Sequence, residues 1–408
     1  MTGPSSQPRI AMIIQNIDVI GGAQLNALRL AARLRRIGFP ITLVGYGTRE
    51  SREHLERFSI DPHIPTHFVS PPAGVFRKVS KYFPNIFFLL PCLRILWKHR
   101  MEYDILHGPL LMESGLVCGL AALLTRKPSL VKLGSAGRYG DVRRALKGPF
   151  QPFRRAVFKH ISKFVCLTEE IKDELFQDLR IRPDRFVLIR NGVDTRLFQP
   201  GTPEQKLSVR KDLGLAATSK IVICVGRLEE KKRIDFLLKA WQSVVEKKRG
   251  AVHLLIVGDG TLRNSLGELS KRLKIADRVT FYGNSENISL LMQGADLFAL
   301  PSVSEGLANV FLEAMASGLP LVTTHTPGNT EILTHGDNAL LFQEENIDEL
   351  AENIMYLLEN EAVTKRMGRS ARRTVERHFD VEDIALQYGR LYHGIADKGI
   401  SERTAQRE

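Results

Sequence analysis

Cysteine is scarce in this chain, four residues in 408, at positions 92, 118, 166 and 224. Cys92, Cys118, Cys166 and Cys224 form no C-x-x-C pair and no metal-ligand spacing with the histidines, which excludes a disulfide scaffold or zinc ribbon and fits a reducing, cytoplasmic setting. Long apolar runs are also lacking. The most apolar stretch, NIFFLLPCLRILW from Asn85 to Trp97, is interrupted by Pro91 and Arg94 and is too short to span a bilayer. The polar start MTGPSSQP has no charged n-region, apolar segment and cleavage site, so no secretion signal is expected. No short-period repeat is evident, which argues against a solenoid. What is present is an ordinary globular composition, 43% hydrophobic and 25% charged, in a chain long enough for two domains.

Acidic residues are sparse in one half only. Residues 1–200 hold 31 Lys and Arg against 16 Asp and Glu, whereas the remainder holds 27 against 29. The net charge of +13 therefore resides in the first half, which points to a phosphate-bearing, anionic-membrane or nucleic-acid partner for that half.

Short β-branched runs alternate with amphipathic stretches along the whole chain, the pattern of parallel sheets flanked by helices. RIAMIIQ, PITLVGYG, YDILHG, SLVKLG and KFVCLT are strand candidates in the first half. KIVICVG, VHLLIVG, RVTFYG, DLFALPS, PLVTT and ALLF are their counterparts in the second. Between them RNGVDTRLFQPGTPEQK, Arg190 to Lys206, is rich in turn residues and reads as a linker. The predicted fold class is α/β, two doubly wound Rossmann-like domains, residues 1–199 and 200–380, facing across a cleft, with ligands at the carboxyl ends of the strands.

Three glycine-containing loops follow strands. In IDVIGGAQ, Gly21 and Gly22 let the backbone approach a ligand at the start of a helix, although such glycines also serve tight packing alone. VGDGTL, Val257 to Leu262, has Gly-x-Gly, but Arg263 replaces the third glycine of a dinucleotide fingerprint. VGRLEEKKRID sets Arg227 and Lys232 just past a strand, where a guanidinium fork and an ammonium can converge on a diphosphate; a solvated charge run would look the same.

SEGLANVFLEAMASGLP, Ser304 to Pro320, predicts a buried helix of about three turns stopped by Gly318 and Pro320. Its one acid inside the apolar run from Val310 to Ala316 is Glu313, which needs a cation, backbone donors or a ligand's hydroxyls as partners.

Together, V-G-R-L-x-x-x-K at 225–232, L-x-x-V-G-D-G-x-L at 254–262 and E-G-L-x-N-V-x-x-E-A-M-A-x-G-x-P at 305–320 resemble the family 4 retaining glycosyltransferases of the two-Rossmann (GT-B) fold. G-G-A-Q at 21–24 and N-G-V-D at 191–194 extend the likeness over nearly the whole chain. The resemblance implies a nucleoside-diphosphate sugar donor in the second domain and a glycan or lipid-linked saccharide acceptor in the first. It further implies that residues 381–408 form a last helix crossing back to the first domain, followed by a polar tail.

The family's pattern carries over residue by residue. Glu313 matches the acid that receives the ribose hydroxyls, and Glu305 the one near the transferred sugar. Gly306, Leu307, Ala308 and Asn309 begin a helix whose N–H groups hold phosphate. Arg227 and Lys232 neutralise the departing diphosphate, with Gly226 beside them, and Gly22 lends its backbone. Gly258, Asp259 and Gly283 surround the base. His107 in YDILHG would stand beside the sugar, although many relatives have a second histidine where this chain has Pro109; a core or strand-end histidine is the alternative. Arg233 also departs from the usual glycine after the lysine.

The chain contains no Asp-x-Asp, so no metal is expected at the diphosphate, and no cofactor beyond the donor is implied. No positioned carboxylate nucleophile for a double displacement is evident either. For the acceptor side, the basic-aromatic stretch from Gly74 to Arg100, including Arg77, Lys78 and Lys81, suggests an anionic membrane surface and a peripheral location on the inner face of the plasma membrane, with a helix packed on its own sheet as the favoured alternative for Phe87 to Trp97. Lys132, Arg138, Arg143, Arg144 and Lys147, with Arg154 and Arg155, are candidates for a lipid-linked pyrophosphate. A nucleotide-binding oxidoreductase would require a fuller glycine fingerprint, and a basic nucleic-acid-binding protein would require a recognition motif; neither is present, so no nucleic acid is expected.

Overall fold

The computed structural model describes residues 7–17, 22–47, 51, 55–56, 60–61, 63–69, 84–147, 150–247, 251–303 and 307–405. Gly21, Arg77, Lys78, Lys81, Glu305 and Gly306 lie outside them. The chain forms two compact units, Met1–Asn191 with Val381–Glu408, and Gly192–Asp380.

The first unit is a seven-stranded parallel sheet, β1 (Ile10–Asn16), β2 (Ile41–Tyr46), β3 (Thr66–Val69), β4 (Ile105–Gly108), β5 (Ser129–Leu133), β6 (Lys163–Cys166) and β7 (Phe186–Leu188). Its order is β3-β2-β1-β4-β5-β6-β7. The second is a six-stranded parallel sheet, β8 (Lys220–Val225), β9 (Val252–Val257), β10 (Val279–Gly283), β11 (Leu297–Leu300), β12 (Leu321–Thr324) and β13 (Ala339–Phe342), ordered β10-β9-β8-β11-β12-β13. Both are doubly wound α/β sheets. Each reverses its order beside its first strand, between β1 and β4 and between β8 and β11, where such folds open a crevice at the strand carboxyl ends.

Every residue of the central strands β4, β5, β9, β11 and β12 and of the edge strand β13 is buried, and most are apolar because helices cover both faces. The edge strands β3 and β7 do not show this: β3 opens on the polar Thr66 and His67, and Phe186, Val187 and Leu188 of β7, though apolar, are all half-buried.

Val381–Ala405 is a helix of the first unit. Ile384, Ala385, Tyr388, Tyr392 and Ile395 join the core formed with Ile10, Met12, Leu30, Leu34, Phe39 and Ile105. Arg33 anchors it through a 2.7 Å ion pair with Glu382.

The helix Pro84–Lys98 contains Pro91, and its face carrying Phe88, Cys92 and Leu96 is buried. Leu90, Arg94, Trp97 and Lys98 lie on its exposed side. No helix among the described residues is long and apolar enough to cross a membrane.

Candidate functional site

At the carboxyl end of the second sheet, the loops from three strands meet through their backbones. Gly226 N–H donates to Val257 O (3.0 Å), Leu228 N–H to Asp259 O (3.0 Å), Leu262 N–H to Leu228 O (3.1 Å) and Gly258 N–H to Gly283 O (2.7 Å). Glycine is required here by space. A Cβ on Gly258 would stand 2.1 Å from Gly226 O, and one on Gly260 2.5 Å from Leu228 O; Gly258 also has φ +130°. Gly283 has φ +84°. The loops after β8, β9 and β10 can therefore lie on one another and leave their peptide groups near the surface.

The loop after β8 carries the two cations. Arg227 is exposed and pairs with Glu229 at 2.9 Å. Lys232 is buried; its Nζ would lie 3.8 Å from a Cβ on Gly226, so the ammonium crosses the end of β8. This loop is fastened across the switch point to the segment after β11, because Lys231 O accepts from Val303 N–H (3.1 Å) and Ser302 Oγ (3.2 Å). The loop carrying Lys232 and the residues just past β11 are thus tied together across the β8/β11 switch point.

Arg233 explains itself in this setting. Its φ is +50°, the left-handed region that glycine occupies most easily, and its guanidinium stacks 3.6 Å over the Phe236 ring while facing Asp235 and Glu345 at 3.8 and 3.7 Å. The side chain is held on the helix start, so it caps that turn rather than reaching for the crevice.

The helix bearing Glu313 is shorter than expected. It spans Asn309–Ala316, two turns rather than three, with Ala308 as an extended N-cap that offers no side-chain acceptor. Leu307 and Ala308 therefore do not start the helix as predicted but are buried in the approach to it; Gly306 lies outside the described residues. Phe311, Leu312, Ala314, Met315 and Ala316 are buried as predicted, but Glu313 is only half-buried. The carboxylate lies on the partly open side, so the cost of leaving it charged is smaller than full burial would impose.

One residue here was missed as a contact and noticed only as a break in the glycine pattern. Arg263 donates through Nη2 to Phe281 O at 3.1 Å, while its buried Nη1 has no hydrogen-bond partner and lies 3.6 Å from a Cβ position on Gly283. A buried guanidinium nitrogen without a partner is costly, which marks it as a donor facing the β9/β10 loops.

The first unit uses its polar residues differently. His107, on β4, is 1% exposed. Its Nδ1 is 2.7 Å from Tyr392 Oη, its ring stacks on Tyr388 with centroids 5.6 Å apart, and Nε2 has no hydrogen-bond partner. Burial, and then the Lys132 charge, lower its pKa to about 3. Tyr388 and Tyr392 of the Val381–Ala405 helix pack on this ring, so His107 is buried in the first unit with Nε2 as its one nitrogen without a partner.

Lys132, on β5, is likewise not a surface cation. Its Nζ donates to Asn26 Oδ1 (3.0 Å) and Asn191 Oδ1 (2.5 Å), and burial lowers its pKa to about 8. The other basic candidates divide. Arg138, Arg143, Arg144 and Lys147 are exposed, although Arg144 bonds to the buried Asp141, which also accepts from Gly134 N–H (2.6 Å) and Ser135 N–H (3.1 Å). Arg154 is spent on Ala145 O (3.0 Å) and Lys147 O (2.7 Å), and Arg155 on Asp178 O. Gly22 is the exposed first residue of the helix Gly22–Arg36.

Comparison with known proteins agrees with this architecture. The family model for glycosyl transferases group 1 matches residues 205–374, and that for Glycosyltransferase Family 4 matches residues 20–197. The chain belongs to the family 4 glycosyltransferases of the two-Rossmann, GT-B fold. It is 31% identical to the N-acetyl-alpha-D-glucosaminyl L-malate synthase of Bacillus anthracis over 53% of this chain and 55% of that one. The chain spans little more than half of the length of several curated relatives that it matches. A D-inositol 3-phosphate glycosyltransferase of Corynebacterium aurimucosum is 25% identical over 89% of this chain and 90% of its own. Among solved structures, Anabaena HepE in complex with UDP and glucose superposes with a TM-score of 0.78 at 22% identity, covering 95% of this chain and all of that one.

Proposed function

We propose that this protein is a retaining glycosyltransferase that moves a sugar from a nucleoside-diphosphate sugar to a hydroxyl of a glycan or lipid-linked saccharide, without a metal ion. One observation carries the reading: the Lys231 carbonyl ties the Arg227–Lys232 loop to Ser302 and Val303, just past β11, at the switch point of the second sheet. Two cations and a half-open carboxylate at that place suit a ligand with a diphosphate and a vicinal diol. The exposed Arg227 guanidinium turns from Glu229 to the phosphate oxygens, Lys232 meets them as a point charge, and Glu313 accepts from the ribose hydroxyls.

As the anomeric C–O bond breaks, the sugar becomes positive and the phosphate more negative. Fixed cations at the phosphate therefore stabilise the transition state more than the bound donor. Retention follows if the acceptor hydroxyl attacks from the face the phosphate leaves, with a phosphate oxygen taking its proton. Arg227 and Lys232 supply the charge that a metal ion supplies elsewhere. Glu305 and Gly306 complete the donor site in this reading, with Gly258, Asp259, Gly283 and Arg263 around the base. A thermal-shift panel of nucleoside diphosphates and their sugars tests it. One such donor raises the melting temperature of the wild type and is consumed in the presence of a suitable acceptor; no response to any member would contradict the assignment.

The acceptor side is proposed to rest on the anionic inner face of the plasma membrane. Leu90, Arg94, Trp97, Lys98 and Met101 follow one exposed side of the helix Pro84–Lys98 and its continuation, mixing apolar and basic groups. Exposed Phe150 and Phe153 accompany Arg143 and Lys147. Four free, buried cysteines agree with a reducing cytoplasmic location. Flotation with anionic vesicles should be lost in Trp97→Glu and unchanged in a second-unit control such as Tyr356→Glu; failure of the wild type to float at low salt contradicts this part alone.

A further inference from the structure

We infer that His67, His99 and Glu102 form a binding site for a first-row divalent metal ion of the zinc class, separate from the donor site. His67 lies on β3; His99 and Glu102 follow the helix Pro84–Lys98. The two imidazoles stack with centroids 4.1 Å apart, and both turn a nitrogen to the same carboxylate: His99 Nδ1 is 2.8 Å from Glu102 Oε1, and His67 Nε2 is 4.0 Å from Oε2. One donor atom from each residue lies within 4.8 Å of the other two.

The turn that presents the second and third ligands is well braced. His99 N–H donates to Ile95 O (3.0 Å), Glu102 N–H to His99 O (2.9 Å) and Tyr103 Oη to Leu96 O (3.0 Å). A simple ion pair accounts for His99 and Glu102, but not for the third group from another element, aimed at the second carboxylate oxygen. Zinc takes imidazole nitrogen and carboxylate oxygen at ~2.0–2.2 Å, so side-chain adjustments suffice to close the three donors on an ion, with water completing its shell. Magnesium and calcium prefer oxygen-only shells, which this donor set does not provide.

The site lies beside a small recess lined by Ala11, Thr42, Val44, Ile95, Leu96 and Tyr103. Ala11 and Thr42 are the second residues of β1 and β2, so this is the amino-end side of the sheet, whereas Gly22 follows the carboxyl end of β1. An ion here would fasten the end of the helix carrying Trp97 to the edge strand β3. It would act on the shape of the first unit and take no part in sugar transfer.

The test uses the full chain, free of any affinity tag and treated with a chelator, titrated with Zn2+ by calorimetry and melted with and without it. The wild type is expected to bind about one equivalent saturably and to melt at a higher temperature with Zn2+, but not with Mg2+. His67→Ala and His99→Ala should each weaken uptake at least ~10-fold, given that loss of even an outer partner has that effect. Glu102→Gln, at a residue whose side chain is 62% exposed, should fold as the wild type does and also lose the zinc-induced shift. Absence of saturable uptake by the wild type, or uptake as tight as the wild type's in Glu102→Gln and either histidine variant, would overturn the site.

Discussion

The two units have the same sheet plan, yet the basic residues in the loop after β8 and the polar residues on β4 and β5 differ in their surroundings. In the second, Arg227 is 66% exposed, Lys232 runs across the end of β8, and three glycines let the surrounding loops press together. In the first, His107 and Lys132 are turned inward. One is sealed by Tyr388 and Tyr392 and the other is tied to Asn26 and Asn191. Exposure sets Arg227 apart, but Lys232 and Lys132 are both buried; what differs is their surroundings, the end of β8 beside Gly226 for one and two asparagine side chains for the other.

The largest expected effect breaks the second unit's loop packing. Gly258→Ala places a methyl group 2.1 Å from Gly226 O at φ +130°, which should cost ~3 kcal/mol or more and abolish nucleotide-induced stabilisation. Gly38→Ala in the first unit meets nothing within 4 Å at φ +95°, so strain alone remains, ~1–2 kcal/mol. Urea unfolding of the two variants measures the contrast.

Next comes acid sensitivity. The folded-state pKa of His107 is lowered to about 3, so between that value and its ordinary 6.5 the unfolded chain holds a proton that the native chain does not. Stability should fall as pH drops through this window, by up to about 1.4 kcal/mol per pH unit from this group. His107→Asn should flatten that slope, whatever its cost at neutral pH. His253, buried on β9 against Thr280 at 2.8 Å, has its pKa lowered in the same direction by burial, and His253→Gln should flatten the slope less. Melting temperature against pH for the three proteins decides this.

Glu313→Gln separates the two ends of the donor. It should weaken nucleoside-diphosphate binding by ~1.5–3 kcal/mol while leaving inorganic pyrophosphate binding unchanged, because only the former carries a ribose. The smallest effect is expected at Arg233. Arg233→Gly relieves the left-handed residue but gives up its stack on Phe236, so stability should change by less than ~1 kcal/mol in denaturant melts.

All six second-sheet strands and five of the first sheet's seven were legible as β-branched or apolar runs, most of them because buried parallel strands must be apolar on both faces. The edge strands β3 and β7 were not: β3 opens on the polar Thr66 and His67, and β7 spans only three residues, too short a run to stand out. The glycine-cation constellation of the second unit was legible for a related reason: backbone approach excludes side chains, and glycine spacing records that exclusion. The fate of His107 was not. Nothing around residue 107 reveals that tyrosines 281 and 285 positions later would cover it. Lys132 resembled a surface cation until its asparagine partners were in place. The short helix at Glu313 was overextended because Leu307 and Ala308 have helical preference but extended or bent backbone, a tertiary override of propensity.

The central claim is that Lys232 and Arg227, not Lys132 of the first unit, hold the diphosphate. Calorimetric titration of the wild type, Lys232→Ala, Arg227→Ala and Lys132→Met with the nucleoside diphosphate selected by thermal shift tests it directly. Affinity should fall ~10- to 100-fold in each of the first two variants and stay within about twofold of the wild type in the third, provided it folds. Unchanged affinity in Lys232→Ala and Arg227→Ala would contradict the account.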